Sequence, residues 1–294
     1  MLHHAQCAAP YANYISTAPG CLMAGLLQDP QGEQTMKIRS CPAWVAAALL
    51  LWCAAGAAMA SVVVNGTRVI VDGAAGEATV QLRNTGQQPV LVQAWIDDGD
   101  AAADPRHAKS PFVLTPPVAR IDAQKGQALR IIRAADIVQA GHESLYWLNV
   151  VEVPPKPAAR QAGSDNVLMF SFRTRIKVFY RPAGLPGHAD RAHEQLCFRY
   201  EPASRSLVVS NPTPYHVSFR RLALLGSGGR VAGELPARPD NMLAPASTGR
   251  FVLPVAGPLP AHPMVAYTVI NDHGGDVVGQ RNSVAACQPA SNGR

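Results

Sequence analysis

From Ser61 onward the chain is a succession of short apolar runs broken by Gly, Pro, Asn and Asp, and no stretch keeps a helical period for long. Alternation of apolar and polar positions with a period of two is the mark of half-buried strands. Strands are expected at Val62 to Val71, Ala78 to Asn84, Val90 to Ile96, Phe112 to Thr115, Ala128 to Arg133, Ser144 to Val153 and Val167 to Arg181. Seven strands in about 120 residues suit an immunoglobulin-like sandwich. Pro182-Ala183-Gly184-Leu185-Pro186-Gly187 breaks every regular pattern and opens a linker over 182–191. A second set follows at Gln195 to Tyr200, Ser206 to Ser210, His216 to Leu225, Arg230 to Glu234, Gly249 to Leu253, Met264 to Asn271 and Asp276 to Ala285. The fold class expected is all-β, with one sandwich domain over 61–181 and a smaller one over 192–294.

The remaining N-terminal part reads differently. The apolar run Pro42 to Ala60 follows Met36-Lys37-Ile38-Arg39 and ends in Ala58-Met59-Ala60. A positive start, an apolar centre from Trp44 to Trp52 and a small-residue end make a secretory signal over 36–60, cleaved after Ala60. A membrane anchor is the competing reading; the Gly and many Ala in the run, the lack of a following charge cluster and the strand that starts at Ser61 argue against it. Residues 1–35 show no periodic pattern, and Met36 is the expected initiator.

Export changes the meaning of the cysteines. Beyond residue 60 the chain holds Cys197 and Cys287, in an oxidising compartment where a disulfide persists. Ninety residues separate them, and spacing alone does not decide whether they bond. Neither has a Cys or His at metal-ligand spacing, so no metal is expected.

Composition and charge narrow the function classes. With 294 residues, 48% hydrophobic and 16% charged, the chain is long and apolar enough for two folded domains. The net charge of +6 comes from scattered single Lys and Arg, without the basic run that follows a phosphate backbone, so nucleic acid is not an expected partner. An acidic protein surface suits the charge equally well. There is no phosphate loop, nucleophile elbow or His-Glu-x-x-His pattern, and neither catalysis nor a cofactor is expected. His107, His142, His188, His193, His216, His262 and His273 stand alone and read as solvated surface residues. Asp97-Asp98-Gly99-Asp100 lacks the spacing and closing Glu of a calcium loop and reads as a hairpin turn.

Two stretches stand out: Thr67-Arg68-Val69-Ile70, and Arg175-Ile176-Lys177-Val178-Phe179-Tyr180-Arg181-Pro182. With Phe112 to Pro117, Leu129-Arg130-Ile131, Glu143 to Val150, Asn211 to Tyr215 and Ile270 to Gly274, the sequence resembles the PapD-like periplasmic chaperones of the chaperone-usher pathway. The resemblance implies two immunoglobulin-like domains at an angle, with the binding cleft between them. It implies that Arg68 and Lys177 anchor the C-terminal carboxylate of a pilin subunit. It implies that Leu168, Phe170 and Phe172, which period two puts on one face, fill the groove of a subunit lacking its last strand. Glu143, Arg181 and Asp272 match a salt-bridge network between the domains. The loop from Pro154 to Asp165 is short, which within the family resembles the subclass serving rod-like pili.

The expected partners are pilin or fimbrial subunits and an outer-membrane usher, in the periplasm. So apolar a donated strand also leads us to expect self-association of the free chaperone. A competing reading makes the chain a secreted pilus subunit or adhesin with immunoglobulin-like domains. Such a subunit lacks its seventh strand and carries a free N-terminal arm, whereas this chain has that strand and begins its mature part with a core-like one.

Overall fold

The computed structural model describes residues 61–287, apart from 103, 136, 138–140, 154–169, 237, 239 and 258. All of them fall within one compact unit, Ala58–Arg294.

The first sandwich is built from β1 (Val62–Val64), β2 (Arg68–Asp72), β3 (Glu77–Asn84), β4 (Val90–Asp97), β5 (Phe112–Thr115), β6 (Val118–Ile121), β7 (Gly126–Arg133), β8 (Ser144–Val153) and β9 (Phe172–Arg181). One sheet has the order β1-β3-β7-β5 and the other β2-β9-β8-β4-β6. Their facing sides close a core that includes Val71, Leu82, Leu129, Ile131, Leu148, Val178 and Tyr180. The second sandwich holds β10 (Cys197–Glu201), β11 (Ser206–Asn211), β12 (Val217–Leu225), β13 (Val231–Glu234), β14 (Met242–Leu243), β15 (Ser247–Val252), β16 (Met264–Ile270) and β17 (Asp276–Asn282). Its sheets run β10-β11-β15 and β13-β12-β16-β17, with β14 added beside β12. Phe198, Leu207, Leu222, Leu224, Leu253 and Val265 fill its core. The all-β class and the two sandwiches agree with the sequence pattern.

Several elements depart from that pattern for identifiable reasons. The expected strand Val62 to Val71 is two strands in different sheets. β1 pairs antiparallel with β3, whereas β2 pairs parallel with β9. The crossing happens at Gly66, whose φ of 115° is open to glycine and costly for any residue with a Cβ. The last strand of this domain starts at Phe172 rather than Val167; Phe170 and Ser171 precede it without strand structure, and 167–169 lie outside the described residues. β6 was not among the expected strands; it follows Pro116-Pro117 directly, and two prolines give no strand signal.

Asp97 to Asp100 does not turn a hairpin. β4 pairs with β6 and β8, while the next strand, β5, pairs with β7 in the opposite sheet, so the segment crosses the sandwich. Part of the expected linker and the start of the next strand form a 3-10 helix, Ala189–Gln195, whose Ala192 is buried in the second core together with Leu196. Cys287 lies beyond β17. There the chain passes to the edge of β10, where the Val284 N–H donates to the Phe198 carbonyl at 2.8 Å, and Cys287 is disulfide-bonded to Cys197.

Candidate functional site

β9 carries the site, and its two edges are covered unequally. On one side β8 pairs with it from Phe172 to Tyr180. On the other, β2 pairs only with Lys177 to Arg181, so among the described residues Phe172 to Ile176 have no strand on that edge. Period two divides the side chains. Ile176, Val178 and Tyr180 enter the first core, and Arg173, Arg175, Lys177, Phe179 and Arg181 project from the opposite face. Phe172 shares the parity of the core residues yet is 46% exposed, and Phe170 before it is 63% exposed. Leu168 lies outside the described residues.

Where the open edge ends, two cations meet. Arg68 is the first residue of β2 and stands in register with Lys177. Lys177 is 9% exposed, and among the described residues no carboxylate lies within salt-bridge distance of it. Burial and the neighbouring Arg68 push its pKa down to about 8, partly offset by Asp240. Burial also lowers the pKa of Arg68, against the more distant charges of Asp272 and Glu143. Arg68 Nη1 donates to the Ile270 carbonyl at 2.9 Å, while its buried Nε has no partner. Aromatic faces flank both cations: Arg68 is 5.7 Å from the Phe179 ring centroid and Lys177 Nζ is 5.7 Å from that of Trp147. Such contacts offset part of the lost hydration of a cation but leave its charge uncompensated. The pair is a preformed place for an anion.

The other end of β9 is electrostatically complete. Arg181 donates from Nε and Nη2 to Glu143 Oε1 at 2.9 and 2.7 Å, and from Nη1 and Nη2 to the two Asp272 oxygens at 2.8 and 3.1 Å. Its guanidinium also lies 5.3 Å from the Tyr215 ring centroid. Burial works against the charge of Arg181, and the bonds and charges of Asp272 and Glu143 outweigh it, so its pKa is raised. The second oxygen of Glu143 accepts the His216 N–H at 2.9 Å and faces His216 Nδ1 at 3.0 Å. Since Glu143 and Arg181 belong to the first sandwich and His216 and Asp272 to the second, this network ties the domains together.

His216 is therefore not the solvated surface residue expected from its surroundings in sequence. Its side chain is 7% exposed and lies against Phe179, with ring centroids 5.2 Å apart. Asp97 was likewise missed. It is fully buried and receives Asn149 Nδ2 at 2.6 Å and Arg175 Nη2 at 2.5 Å. Arg175 meanwhile lies 4.3 Å from the Trp147 ring centroid, and Arg173 lies 4.8 Å from that of Trp95. The alternation Arg173, Arg175, Lys177 was the one signal of this row in the sequence.

Known proteins share this arrangement of domains. Residues 61–186 match the family described as pili and flagellar-assembly chaperone, PapD N-terminal domain, and residues 191–281 match pili assembly chaperone PapD, C-terminal domain. The chain is 42% identical over 232 residues to the chaperone protein FimB/FhaD of Bordetella pertussis, covering 78% of this chain and 90% of that protein. It is 39% identical over 224 residues to the probable fimbrial chaperone YadV of Escherichia coli K12, covering 75% and 89%. The crystal structure of the YadV chaperone superposes with a TM-score of 0.64 at 36% identity, over 76% of this chain and all of that one. The CupB2 chaperone of Pseudomonas aeruginosa gives a TM-score of 0.63 at 36% identity, over 76% and 100%. With both of its domains matched in order and relatives this similar over nearly their whole length, the chain belongs to the PapD family of pilus-assembly chaperones.

Proposed function

We propose that the chain is a periplasmic chaperone for pilus or fimbrial subunits, which holds a subunit's C-terminal carboxylate at Arg68 and Lys177 and lends it the strand leading into Lys177. One observation carries this reading: a buried cation, Lys177, and a half-buried one, Arg68, stand side by side where the open edge of β9 ends. A guest strand added along Phe172 to Ile176 must stop where β2 begins. Its direction follows from charge. Running parallel to β9 it brings a terminal carboxylate to the two cations; running antiparallel it brings a terminal ammonium, which they repel.

Phe172, Phe170 and Leu168 supply the donated apolar face, each worth roughly 1.5–3 kcal/mol when fully buried and less after ordering costs. Backbone hydrogen bonds along the open edge add a ladder. Arg181, Glu143 and Asp272 fix the angle of the cleft in which the guest strand lies. No chemical step is needed, so the protein acts by binding and releases its subunit to an outer-membrane usher. The loop expected at 154–165 lies outside the described residues, and its resemblance to the subclass serving rod-like pili rests on the sequence alone. An exposed apolar edge also favours self-association of the free protein.

Periplasmic placement is supported by the signal pattern over 36–60, cleaved after Ala60, and by the disulfide Cys197–Cys287. The competing reading, a pilus subunit or adhesin, fits less well, because β9 completes the chain's own sandwich. The test is affinity capture from periplasmic extract followed by mass spectrometry. Wild type recovers small pilin-like proteins and an outer-membrane usher, and the Arg68→Ala and Lys177→Ala chains, still folded, recover neither. Unchanged recovery in both variants sinks the reading.

A further inference from the structure

The signal pattern and the end of β8 meet at one residue. Ser61, the first residue after the expected cleavage site, lies against Glu152. Glu152 Oε2 accepts the backbone N–H of Ser61 and that of Val62, each at 3.1 Å, and Oε1 accepts the Ser61 hydroxyl. The far side of Ser61 is held as well: its carbonyl accepts the Thr85 N–H at 2.7 Å and the Thr85 hydroxyl at 3.2 Å. Gly86 leaves room for it, since a Cβ there would fall 2.8 Å from the Ser61 Cβ. This is a built site around a single residue, one strand across from the start of the open edge, because Glu152 is in register with Phe172.

We propose that Glu152 is the receptor for the chain's own new N-terminus, binding the Ser61 α-ammonium that export cleavage creates. The inference rests on the reading of 36–60 as a signal removed after Ala60, and on nothing about the partner. A leader peptidase uses one water to break the C–N bond between Ala60 and Ser61. The water oxygen goes to the new Ala60 carboxylate, and the Ser61 nitrogen leaves as an amine that takes up a proton at neutral pH. Before cleavage Glu152 accepts from a neutral amide; afterwards it accepts from a full cation in the same place, and a charge-assisted bond is roughly twice as strong. Removal of the signal thus completes an ion pair that fastens β1 at the end of the sandwich.

Among the described residues, the side chains that border the pair do not titrate. Val92 and Phe172 stand beside Glu152 from β4 and β9, the Ser171 hydroxyl donates to the Glu152 carbonyl, and Thr85 and Gly86 border Ser61. The ammonium is accordingly the group whose titration reports the contact.

Three proteins test this: the mature chain starting at Ser61, its E152Q variant, and a chain retaining Gly-Ser ahead of Ser61. N-terminal sequencing of the periplasmic product is expected to begin Ser-Val-Val-Val. The α-amine, followed by pH-dependent acylation and mass spectrometry, is expected to titrate about one unit above its usual value near 8, and to return to that value in E152Q. At pH 7 it should be acylated about tenfold more slowly in the mature chain than in E152Q. A pKa raised on folding stabilises fully below the unfolded value and is lost as pH rises through the folded one. The melting temperature of the mature chain should therefore exceed that of E152Q at pH 7, with the gap closing between about pH 8 and 10, and this pH dependence should be missing from the Gly-Ser chain. A different first residue overturns the cleavage reading and the inference with it. Sequencing at Ser61 with the same amine titration in the mature chain and E152Q overturns the inference alone.

Discussion

Lys177 and Arg181 lie four residues apart on the same face of β9, and their surroundings are opposite. Arg181 is bonded to two carboxylates, one of them from the other domain. Lys177 is as deeply placed, beside a second cation, with no carboxylate at salt-bridge distance among the described residues. The backbone follows the same division: from Lys177 to Tyr180 both edges of the strand are paired, whereas just before Lys177 one edge is open among the described residues. A saturated charge belongs to the architecture and an unsaturated one waits for a ligand, so the two predict different responses to removal.

The largest expected effect is on the saturated side. Arg181→Ala leaves Glu143, 2% exposed, with its charge uncompensated on one oxygen. Breaking a buried pair by removing one partner costs about 3–5 kcal/mol. Urea unfolding of this variant should show that loss, and the loss should shrink when Glu143→Gln is added. If Arg181→Ala unfolds like wild type, the brace is not structural and the contrast with Lys177 fails.

Next comes binding on the unsaturated side. Lys177→Ala should weaken capture of a synthetic strand peptide with a free C-terminal carboxylate by about a hundredfold, near 3 kcal/mol, as for a desolvated charge pair that loses one member. Titration calorimetry with the same peptide as its C-terminal amide provides the control. The amide should bind weakly to wild type and equally weakly to the variant. Equal affinity of acid and amide for wild type would show that no carboxylate is read here.

Lys177 also gives the contrast a pH signature. Its folded pKa of about 8 lies below the ordinary 10.5, so folding disfavours its charged form. That penalty is fully present below pH 8 and disappears as pH rises to the unfolded value. Lys177→Met should therefore gain on the order of 3 kcal/mol in unfolding free energy at pH 7, a gain that fades between pH 8 and 10.5. Arg181→Ala shows no such recovery, because its cation remains charged throughout. Peptide-acid affinity for wild type should fall over the same range as Lys177 loses its proton.

How much of this was legible in the sequence depends on the range of each interaction. Period two is a local signal: it placed a strand within Val167 to Arg181 and put Leu168, Phe170 and Phe172 on one face, whereas the continuation of that parity through Ile176, Val178 and Tyr180 into the chain's own core comes from the structure. The split of Val62 to Val71 was not legible, because an alternating run looks the same whether it stays in one sheet or changes sheets at Gly66. Asp97 was read only as part of a hairpin turn; it does accept the Gly99 N–H locally, but its other partners, Asn149 and Arg175, are 52 and 78 residues away. His216 gave no local hint either; its burial comes from Phe179 and Glu143, which belong to the other domain. The missed residues make long-range polar contacts, which leave no period. The cationic alternation Arg173, Arg175, Lys177 was visible, but which of the three lacks an anion depends on where Asp97 folds.

The smallest expected effect separates the two halves of β9 by packing rather than charge. Phe172 is nearly half exposed although it shares the parity of Ile176 and Val178, so little of the chaperone's own stability depends on it. Phe172→Ser should leave the unfolding midpoint within about 0.5 kcal/mol of wild type, as exposed substitutions do. If the strand is lent to a subunit, the same change removes an aromatic contact from the partner's groove and should weaken the peptide or subunit by about tenfold, near 1.5 kcal/mol. Val178→Ser, the residue after Lys177 and on the paired side, should reverse the order: a fully buried position, costly to folding, with no direct contact to the guest. If Phe172→Ser destabilises the free protein as much as it weakens binding, then the first half of β9 belongs to the chaperone's own core, and the open edge is not the site of donation.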